Sequence, residues 1–184
     1  MKRILMLALS LILFFAAQEV SSIQSERFVP VLVRPNKQYV VWQDKMLDNV
    51  KSFESYRPEP YLCPAGVLTV GYGHTGEFCS QAISENQAEN ILKKELKDCR
   101  EIVLRNVKVS LTEYQICALT SFTYNCGEAN LRSLINGKSR LNSGNYDSVA
   151  KIMPMYRKGG DKVLKGLVKR RAIEVDMWNG IIEL

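Results

Sequence analysis

Residues 54–75 of the chain read ESYRPEPYLCPAGVLTVGYGHT, and this segment predicts the end of a helix followed by a small sheet. Strand-forming residues lie on both sides of a Pro-Ala-Gly turn at 64–66, which predicts a small β-hairpin or meander. Apolar residues recur at helical spacing between Val41 and Phe53, and the prolines that follow end this helix. Glu54 is therefore expected in the last turn of a helix, opposite a hairpin that carries a thiol and a hydroxyl.

The chain beyond Gly76 has a helical pattern. Residues 84–87 (SENQ) and 112–115 (TEYQ) are capping boxes, and an apolar run at helical spacing follows each of them. The first run predicts a long helix, and the second predicts a buried central helix that ends near 125–127. Further helices are predicted at 131–141, 148–153 and 164–178. The pattern is that of an α+β domain in which a small β-element packs against a mostly helical body, with a cleft between them.

The composition fits one folded domain with a basic surface. The chain has 184 residues, of which 46% are hydrophobic and 24% are charged, so it can bury a core and is neither largely disordered nor fibrous. Its 25 Lys and Arg residues exceed the 19 Asp and Glu residues and give a formal net charge of +6. This charge favours an acidic partner such as nucleic acid, anionic lipid or an anionic cell-wall polymer. The length excludes an enzyme with a large appended module.

The first residues of the chain are predicted to be an export signal. Lys2 and Arg3 precede an apolar run over 4–17 that only Ser10 interrupts, which is the layout of a signal peptide. As a helix this run would be about 21 Å long, short of the roughly 30 Å hydrocarbon core of a bilayer. A cleaved signal peptide over 1–22 is therefore favoured over an uncleaved signal-anchor, and its removal would leave a basic mature chain with no stable membrane span.

Export would permit disulfide bonds among the cysteines. The chain has five, which are Cys63, Cys79, Cys99, Cys117 and Cys126. Four could pair and leave one thiol over, or several could be small buried side chains, since Cys99 and Cys117 fall on the apolar faces of predicted helices. The sequence contains no C-x2-C pair and a single histidine, His74. We therefore expect neither a metal site nor a cofactor.

Four features of the sequence form a recognisable set. Eight residues separate Glu54 from Cys63, and five more separate Cys63 from Thr69. The other features are the segments 69–75 (TVGYGHT), 119–127 (LTSFTYNCG) and 166–174 (GLVKRRAIE, a GL-x-x-RR-x-x-E pattern). In this order they resemble the phage-type lysozymes, the endolysins of glycoside hydrolase family 24. In that family a Glu at a helix end is followed after eight residues by Asp or Cys and after five more by Thr, and the three segments correspond to the hairpin signature, the central helix and the C-terminal pattern.

This resemblance implies a lysozyme-like fold, in which a long helix joins a small β-lobe to a mostly helical lobe and the active-site cleft lies between the lobes. It implies an exported muramidase that hydrolyses the β-1,4 bond between N-acetylmuramic acid and N-acetylglucosamine in peptidoglycan, with inversion at the anomeric carbon. Glu54 would be the general acid that protonates the leaving oxygen. Cys63 and Thr69 would position the attacking water.

The resemblance also implies roles for three residues around the site. Tyr124 and Asn125 would lie on the wall of the cleft and bind substrate. The unique histidine, His74, invites interpretation as a catalytic base, but in the family the corresponding residue is structural and pairs with a neighbouring acid behind the hairpin. We therefore expect a structural role for His74.

Cys63 stands where many family members have Asp. The motif then lacks the second carboxylate of the usual glycosidase scheme. A thiol is mostly protonated near neutral pH, so Cys63 is expected to position water or polarise the transition state rather than act as a strong base. Glu59 and Glu77 are weaker candidates for a second carboxylate. In a further alternative, Cys63 pairs with another cysteine and the site is blocked until thiol exchange frees it.

The resemblance covers roughly 41–180. We expect a signal peptide at 1–22, an N-terminal arm at 23–40 and a lysozyme-like catalytic domain at 41–184. The protein would act as a monomer on peptidoglycan glycan strands, in the periplasm or after secretion. The main alternative is a catalytically weak peptidoglycan- or chitin-binding protein that keeps the cleft.

A nucleic-acid partner is not expected. The charge would allow one, but no motif supports it. The basic run at 169–171 is predicted to be a solvated helix face with one internal ion pair to Glu174.

Overall fold

The computed structural model describes residues 37–63 and 66–181, and the statements below concern these residues. The predicted signal peptide over 1–22, and residues 23–36 of the predicted arm, lie outside them. The helices are α1 (Lys37–Glu54), α2 (Glu85–Asn106), α3 (Glu113–Ile135), α4 (Asp147–Ile152) and α5 (Lys165–Trp178). The strands are β1 (Arg57–Leu62), β2 (Leu68–Gly71), β3 (Lys158–Gly159) and β4 (Lys162–Val163), which form two antiparallel pairs, β1 with β2 and β3 with β4.

Helix α1 begins at Lys37 rather than at the predicted Val41, and it ends at Glu54 as predicted. The predicted start was too late because apolar periodicity marks the buried face of a helix and not its first residue. Ser55 follows with a left-handed φ of 56°, and its N–H donates to the Lys51 carbonyl at 3.2 Å. A left-handed residue at this position closes the helix and turns the chain into the first sheet.

Strands β1 and β2 confirm the predicted β-element. Tyr61 pairs with Thr69 and Leu62 pairs with Leu68. The pairing is irregular before Tyr61, where the prolines of β1 have no N–H group to donate. The sheet is therefore a short hairpin whose regular part lies close to its turn.

The chain leaves β2 through a tight turn that packs against α2. Val70 and His74 exchange both backbone hydrogen bonds at 3.0 Å, and Gly71 and Gly73 have left-handed φ values of 65° and 88°. A Cβ atom on Gly71 would lie 2.9 Å from the Ala88 Cβ. Glycine is therefore required here both for its conformation and for the close approach to α2.

Both predicted capping boxes are present. The Gln87 N–H donates to Ser84 Oγ at 3.3 Å, and the Ser84 N–H donates to Gln87 Oε1 at 2.8 Å. The Gln115 N–H likewise donates to Thr112 Oγ1 at 3.3 Å, and the Thr112 N–H donates to Gln115 Oε1 at 3.0 Å. These bonds satisfy N–H groups that have no partner within the helix. Helices α2 and α3 therefore begin where the sequence predicts.

The predicted helix end near 125–127 coincides with a break in α3. Gly127 has φ 79° and ψ 168°, a non-helical conformation that divides α3 into two helical segments joined by a kink. Glycine adopts such a conformation readily, and buried side chains beyond it, such as Leu131, hold the second segment in the core. The helix predicted at 131–141 is this second segment, which ends at Ile135, followed by a 3-10 turn at Leu141–Ser143.

The core surrounds the first half of α3. Residues 116–123 are all buried, which confirms the predicted buried central helix. Side chains of α1, α2 and α5 pack around it, among them Val50, Leu92, Leu96, Met177 and Trp178. Helices α4 and α5 lie within one residue of their predicted positions. Within the described ranges, no helix combines the length and apolar character that a membrane span requires.

Four of the cysteines are thiols in this structure, which are Cys79, Cys99, Cys117 and Cys126. Burial raises the pKa of Cys99 to about 11 and the pKa of Cys117 to about 12. Both side chains therefore stay protonated at neutral pH and pack as small apolar groups. For these four cysteines the alternative without disulfides is the one observed.

Candidate active site

Glu54 lies where α1, α5 and the turn after β2 meet. Its side chain is half-buried, and Oε1 accepts a hydrogen bond from Arg170 Nη1 on α5. A Cβ atom on Gly73 would lie 3.5 Å from Oε2, in ordinary van der Waals contact, so the backbone of the turn passes close to the carboxylate. The carboxylate is thus held on one oxygen by a guanidinium and faces the turn with the other.

Arg170 belongs to a buried charge cluster, which consists of Arg170, Arg171, Glu174 and Ser121. Glu174 Oε1 accepts hydrogen bonds from Ser121 Oγ at 2.7 Å, from Arg171 Nη2 at 2.9 Å and from Arg170 Nε at 3.2 Å. Arg171 Nε lies 2.8 Å from Glu174 Oε2. Because Arg170 is tied to Glu174 within its own helix, its guanidinium has a defined position when it contacts Glu54.

The basic run at 169–171 departs from its prediction. The ion pair to Glu174 is confirmed, but the solvated face is wrong, because Arg170 and Arg171 are only 3% and 1% exposed. Burial of two adjacent guanidinium groups requires anionic partners, and Glu174 and Glu54 supply them. Sequence reasoning did not select Arg170 as a site residue. The RR-x-x-E spacing predicts a contact along one helix, whereas the contact to Glu54 joins residues 116 positions apart.

A cavity of about 350 Å3 lies beside Glu54. Its wall is formed by Phe53, Glu54, Asn125, Leu164, Gly166, Leu167 and Arg170. Of the residues predicted for the site, it therefore brings together Glu54 and Asn125. The predicted residues Cys63, Thr69 and Tyr124 are not part of this wall.

Cys63 and Thr69 lie on the hairpin. The Cys63 N–H donates to the Val67 carbonyl at 2.9 Å and closes the turn between β1 and β2, and the Cys63 side chain is half-buried. Thr69 is 2% exposed, and its Oγ1 donates to the same Val67 carbonyl at 2.9 Å. The hydroxyl hydrogen of Thr69 is thus committed to the backbone, and the hydroxyl oxygen remains able to accept a hydrogen bond.

His74 has a partner on each ring nitrogen. Nδ1 lies 2.7 Å from Glu95 Oε1 on α2, and Nε2 lies 2.8 Å from the Glu77 carbonyl oxygen. Burial lowers the pKa of His74, but the hydrogen bonds to Glu95 and to the Glu77 carbonyl outweigh it and raise the pKa above the ordinary histidine value. Both partners are acceptors, so the charged ring that donates from both nitrogens fits this position best.

Tyr124 and Asn125 lie at the kink of α3. The Tyr124 hydroxyl donates to the Tyr72 carbonyl at 2.9 Å and lies 3.4 Å from Glu95 Oε2, and burial raises its pKa. Asn125 Oδ1 accepts a hydrogen bond from Arg171 Nη2 at 3.1 Å. Tyr124 therefore ties the turn after β2 to α3, whereas the Asn125 side chain lies on the cleft wall.

The pair of His74 and Glu95 should make the stability of the protein depend on pH. Because the pKa of folded His74 is raised, the pair stabilises the fold fully below the unfolded value of about 6.5, and this contribution is lost as the pH rises through the raised pKa. We expect Glu95→Gln to lower the melting temperature more at pH 5.5 than at pH 8. Glu77→Gln is the matched control, since Glu77 contacts His74 through its backbone carbonyl. An equal loss at both pH values for Glu95→Gln would contradict this account.

The sequence that builds this site matches a known family. The family model for phage lysozyme matches residues 51–174. The chain belongs to the phage lysozyme family. The matched range includes the predicted Glu54, Cys63 and Thr69 as well as Arg170, which the sequence reasoning missed. The resemblance inferred from the sequence motifs is thereby confirmed.

Relatives of this phage lysozyme family member are phage endolysins. It is 38% identical over 129 residues to the endolysin of Bacillus phage B103, covering 68% of this chain and 49% of the relative. It is 33% identical over 140 residues to the SAR-endolysin of Escherichia phage Mu, covering 75% and 81%. The chain spans about half the length of the Bacillus phage endolysins that it matches.

The solved structure of the endolysin from Escherichia coli O157:H7 phage FAHEc1 superposes with a TM-score of 0.65 at 29% identity, covering 75% of this chain and 92% of that chain. The predicted α+β, lysozyme-like fold is therefore confirmed.

Proposed function

We propose that this protein is an endolysin-type muramidase that hydrolyses the β-1,4 bond between N-acetylmuramic acid and N-acetylglucosamine in peptidoglycan. The observation that carries the proposal is the position of Glu54, a carboxyl group on the wall of a cavity of about 350 Å3 and held by a buried arginine. A glycosidic oxygen is a poor leaving group and needs a proton from a positioned acid. The family and the endolysin relatives support the same activity.

In this mechanism, Glu54 gives its proton to the glycosidic oxygen as the bond between that oxygen and C1 of the sugar breaks. Arg170 fixes the carboxyl group through Oε1, so that Oε2 is the oxygen left to carry and deliver the proton. Once the proton has left, the guanidinium stabilises the remaining carboxylate. Arg170 is thus a positioning residue, and its own orientation depends on Glu174.

The attacking water is assigned to Cys63 and Thr69. Thr69 Oγ1 already donates to the backbone, so it can accept a hydrogen bond from the water and orient the water's lone pair toward C1. Cys63 stands where many family members carry a carboxylate, and as a neutral thiol it would help to position the water rather than remove its proton. The proton that the water loses then passes to solvent, and attack opposite the leaving oxygen inverts C1.

Variants of Cys63 test this assignment. Cys63→Asp is expected to keep or raise the lytic rate, because a carboxylate can both position the water and accept its proton. Cys63→Ala is expected to lose most of the rate, roughly 10²-fold, a typical effect of removing one catalytic group. The measurement is the initial rate of turbidity loss of a peptidoglycan suspension, with Cys99→Ala as the control thiol. A Cys63→Ala protein as active as the wild type would remove Cys63 from the mechanism.

Product analysis tests the proposed function itself. A muramidase should release fragments whose new reducing end is N-acetylmuramic acid, which mass spectrometry after borohydride reduction identifies. The second candidate function is a catalytically weak peptidoglycan- or chitin-binding protein, and the missing second carboxylate favours it. That protein would bind sacculi in a pull-down and release no new reducing ends. Fragments that end in N-acetylglucosamine would exclude a muramidase.

We also propose that the protein acts on glycan strands as a monomer after export, with residues 1–22 as the signal peptide, 23–40 as an arm and 41–184 as the catalytic domain. Tyr124 and Asn125 are proposed to contact substrate and His74 to act structurally. The SAR-endolysin relatives are compatible with export. Intact mass of the protein recovered from the periplasm or medium would show whether 1–22 is removed.

A further inference from the structure

The β3–β4 hairpin and the residues around it, 155–169, form an exposed surface. Every residue from 157 to 166 is exposed, so the hairpin projects from the body of the protein. The large apolar side chains here are exposed as well, Met155 by 69%, Val163 by 53%, Leu164 by 44% and Val168 by 40%. Scattered exposed apolar side chains are normal, whereas a group of them marks an interaction site. The exposed residues of 155–169 are here named the hairpin patch.

Backbone hydrogen bonds keep these apolar side chains near one another. The Arg157 N–H donates to the Met155 carbonyl at 3.0 Å, and the Leu164 N–H donates to the Arg157 carbonyl at 3.0 Å. The Val168 N–H donates to the Leu164 carbonyl at 3.0 Å in the first turn of α5. Val163 directly precedes Leu164. The apolar side chains therefore lie on one part of the surface.

The hairpin patch is strongly basic. Its basic side chains are Arg157, Lys158, Lys162, Lys165 and Lys169, and its one acid is Asp161, so its net charge is +4. None of the five basic side chains forms an ion pair within the described part of the chain. By contrast, Arg105 and Arg132 on other parts of the surface pair with Glu128. The positive charge of the patch is therefore not neutralised by the protein, and it favours an anionic partner.

An apolar cavity of about 290 Å3 lies beside the hairpin patch. Its wall is formed by Pro154, Arg157, Val168, Arg171, Ala172, Val175 and Asp176. Val168 and Arg157 thus belong both to the patch and to this wall. The cavity shares no lining residue with the cavity at Glu54. Apolar surface therefore continues beside the charged side chains, away from the proposed catalytic acid.

We propose that the hairpin patch binds the surface of an anionic lipid bilayer, with its lysines on the lipid phosphates and its apolar side chains in the interface. Basic side chains are attracted to an anionic bilayer, and apolar side chains are buried in the same interface. A soluble polyanion would engage the charges and leave Met155 and Val163 in water, so the mixed composition favours the bilayer. This binding is a further activity that does not need Glu54, which lies outside the patch.

The test measures binding of the mature chain 23–184 to vesicles. Residues 1–22 are omitted because their apolar run could itself bind lipid, and the described core lies between Met46 and Trp178, so this chain keeps it. The vesicles contain equal parts of phosphatidylglycerol and phosphatidylcholine, or phosphatidylcholine alone, and centrifugation separates bound from free protein. Melting temperatures show that each variant is folded.

Two pairs of variants separate charge from apolar contact. Lys162→Gln with Lys165→Gln removes two charges from the patch. Its matched control is Lys94→Gln with Lys138→Gln, which removes two exposed lysines elsewhere on the surface. Met155→Ser removes the most exposed apolar side chain of the patch, and its control is Leu104→Ser, at a side chain on α2 that is 43% exposed. Leu164 is left unchanged because it also lines the cavity at Glu54.

The wild type should bind vesicles that contain phosphatidylglycerol far better than vesicles of phosphatidylcholine, and this binding should weaken as the salt concentration rises. Loss of Lys162 and Lys165 should lower the partition coefficient about 25-fold, at about fivefold for each basic side chain near an anionic surface. Met155→Ser should lower it about tenfold, as loss of one buried apolar side chain predicts. Both controls should bind like the wild type.

Equal binding to both kinds of vesicle, or equal losses for the patch and control lysine variants, would overturn the proposal. So would Met155→Ser protein that binds vesicles as the wild type does, because the partner would then be a polyanion that contacts only the charges. The patch variants should release reducing ends from soluble glycan strands at the wild-type rate, and Glu54→Gln should bind vesicles normally. Failure of this proposal and failure of the proposed hydrolysis are therefore distinguishable.

Discussion

Glu54→Gln is expected to abolish peptidoglycan hydrolysis, with a loss of roughly 10³-fold in rate, the usual scale for removing a general acid. Glutamine has the shape of glutamate, and its side-chain oxygen can still accept the hydrogen bond from Arg170. Its amide cannot give up a proton to a glycosidic oxygen, so the chemistry fails while the cleft keeps its form. Binding of the variant to sacculi should therefore persist in a pull-down assay.

Glu59→Gln is the matched control for Glu54→Gln. Glu59 is an exposed carboxylate on β1, a few residues from Glu54 in the chain, and the sequence leaves it as a weaker candidate for the second carboxylate. The control should lyse peptidoglycan at the wild-type rate. If Glu54→Gln were as active as the wild type and Glu59→Gln were inactive, the assignment of the general acid would move to Glu59.

Glu174→Gln is expected to destabilise the fold by about 3–5 kcal/mol, the range for removing one partner of a buried ion pair and leaving the other charge buried. Glu174 is 0% exposed and neutralises Arg170 and Arg171, which are themselves buried. Without it, Arg171 keeps a buried charge with no anionic partner. The melting temperature should fall by on the order of 10 °C for a chain of this size, and urea unfolding would measure the free energy directly.

A charge change at the surface provides the comparison for Glu174→Gln. Glu128 pairs with Arg105 at 2.7 Å and with Arg132 at 2.8 Å, so Glu128→Gln also breaks contacts to two arginines. Solvent screens these pairs, and the loss of stability should be much smaller. Similar losses in the free energy of unfolding for Glu128→Gln and Glu174→Gln would contradict the view that burial makes the ion pairs of Glu174 contribute more to stability than those of Glu128.

The same cluster connects stability with activity. Arg170 contacts both Glu174 and Glu54, so a change that frees Arg170 also frees the proposed acid. We therefore expect Glu174→Gln to lower the lytic rate even at temperatures where the variant is folded. A stable variant with full activity would mean that Arg170 keeps its orientation without Glu174.

Local features of the fold could be predicted from the sequence because their causes are local. Each capping box consists of residues three positions apart, and the bonds form within one helical turn. The hairpin follows from strand-forming residues around a turn, and the end of α1 from the prolines after Glu54. The spacing of Glu54, Cys63 and Thr69 is a pattern along the chain, so the resemblance to the family could also be recognised from the sequence.

Features that depend on packing could not be predicted in this way. Gly127 ends the first segment of α3 as predicted, but a second helical segment follows at once because side chains beyond it, such as Leu131, are buried. The run at 169–171 reads as a solvated face, yet Arg170 and Arg171 are buried because an acid on the same helix faces them. In both cases the local structure depends on contacts with residues from other parts of the chain, and a pattern along the chain does not show those contacts.

The sequence by itself determined the class of the fold, the starts of α2 and α3 and the family, because these depend on local hydrogen bonds, apolar periodicity and motif spacing. The tertiary structure decided how the proposed acid is held and which side chains line the cavity beside it. Arg170 meets Glu54 across 116 positions of the chain, and Asn125 comes to the same cavity wall from a third element, α3. Such contacts arise when distant elements pack on one core, and they place the charges on which the proposed chemistry depends.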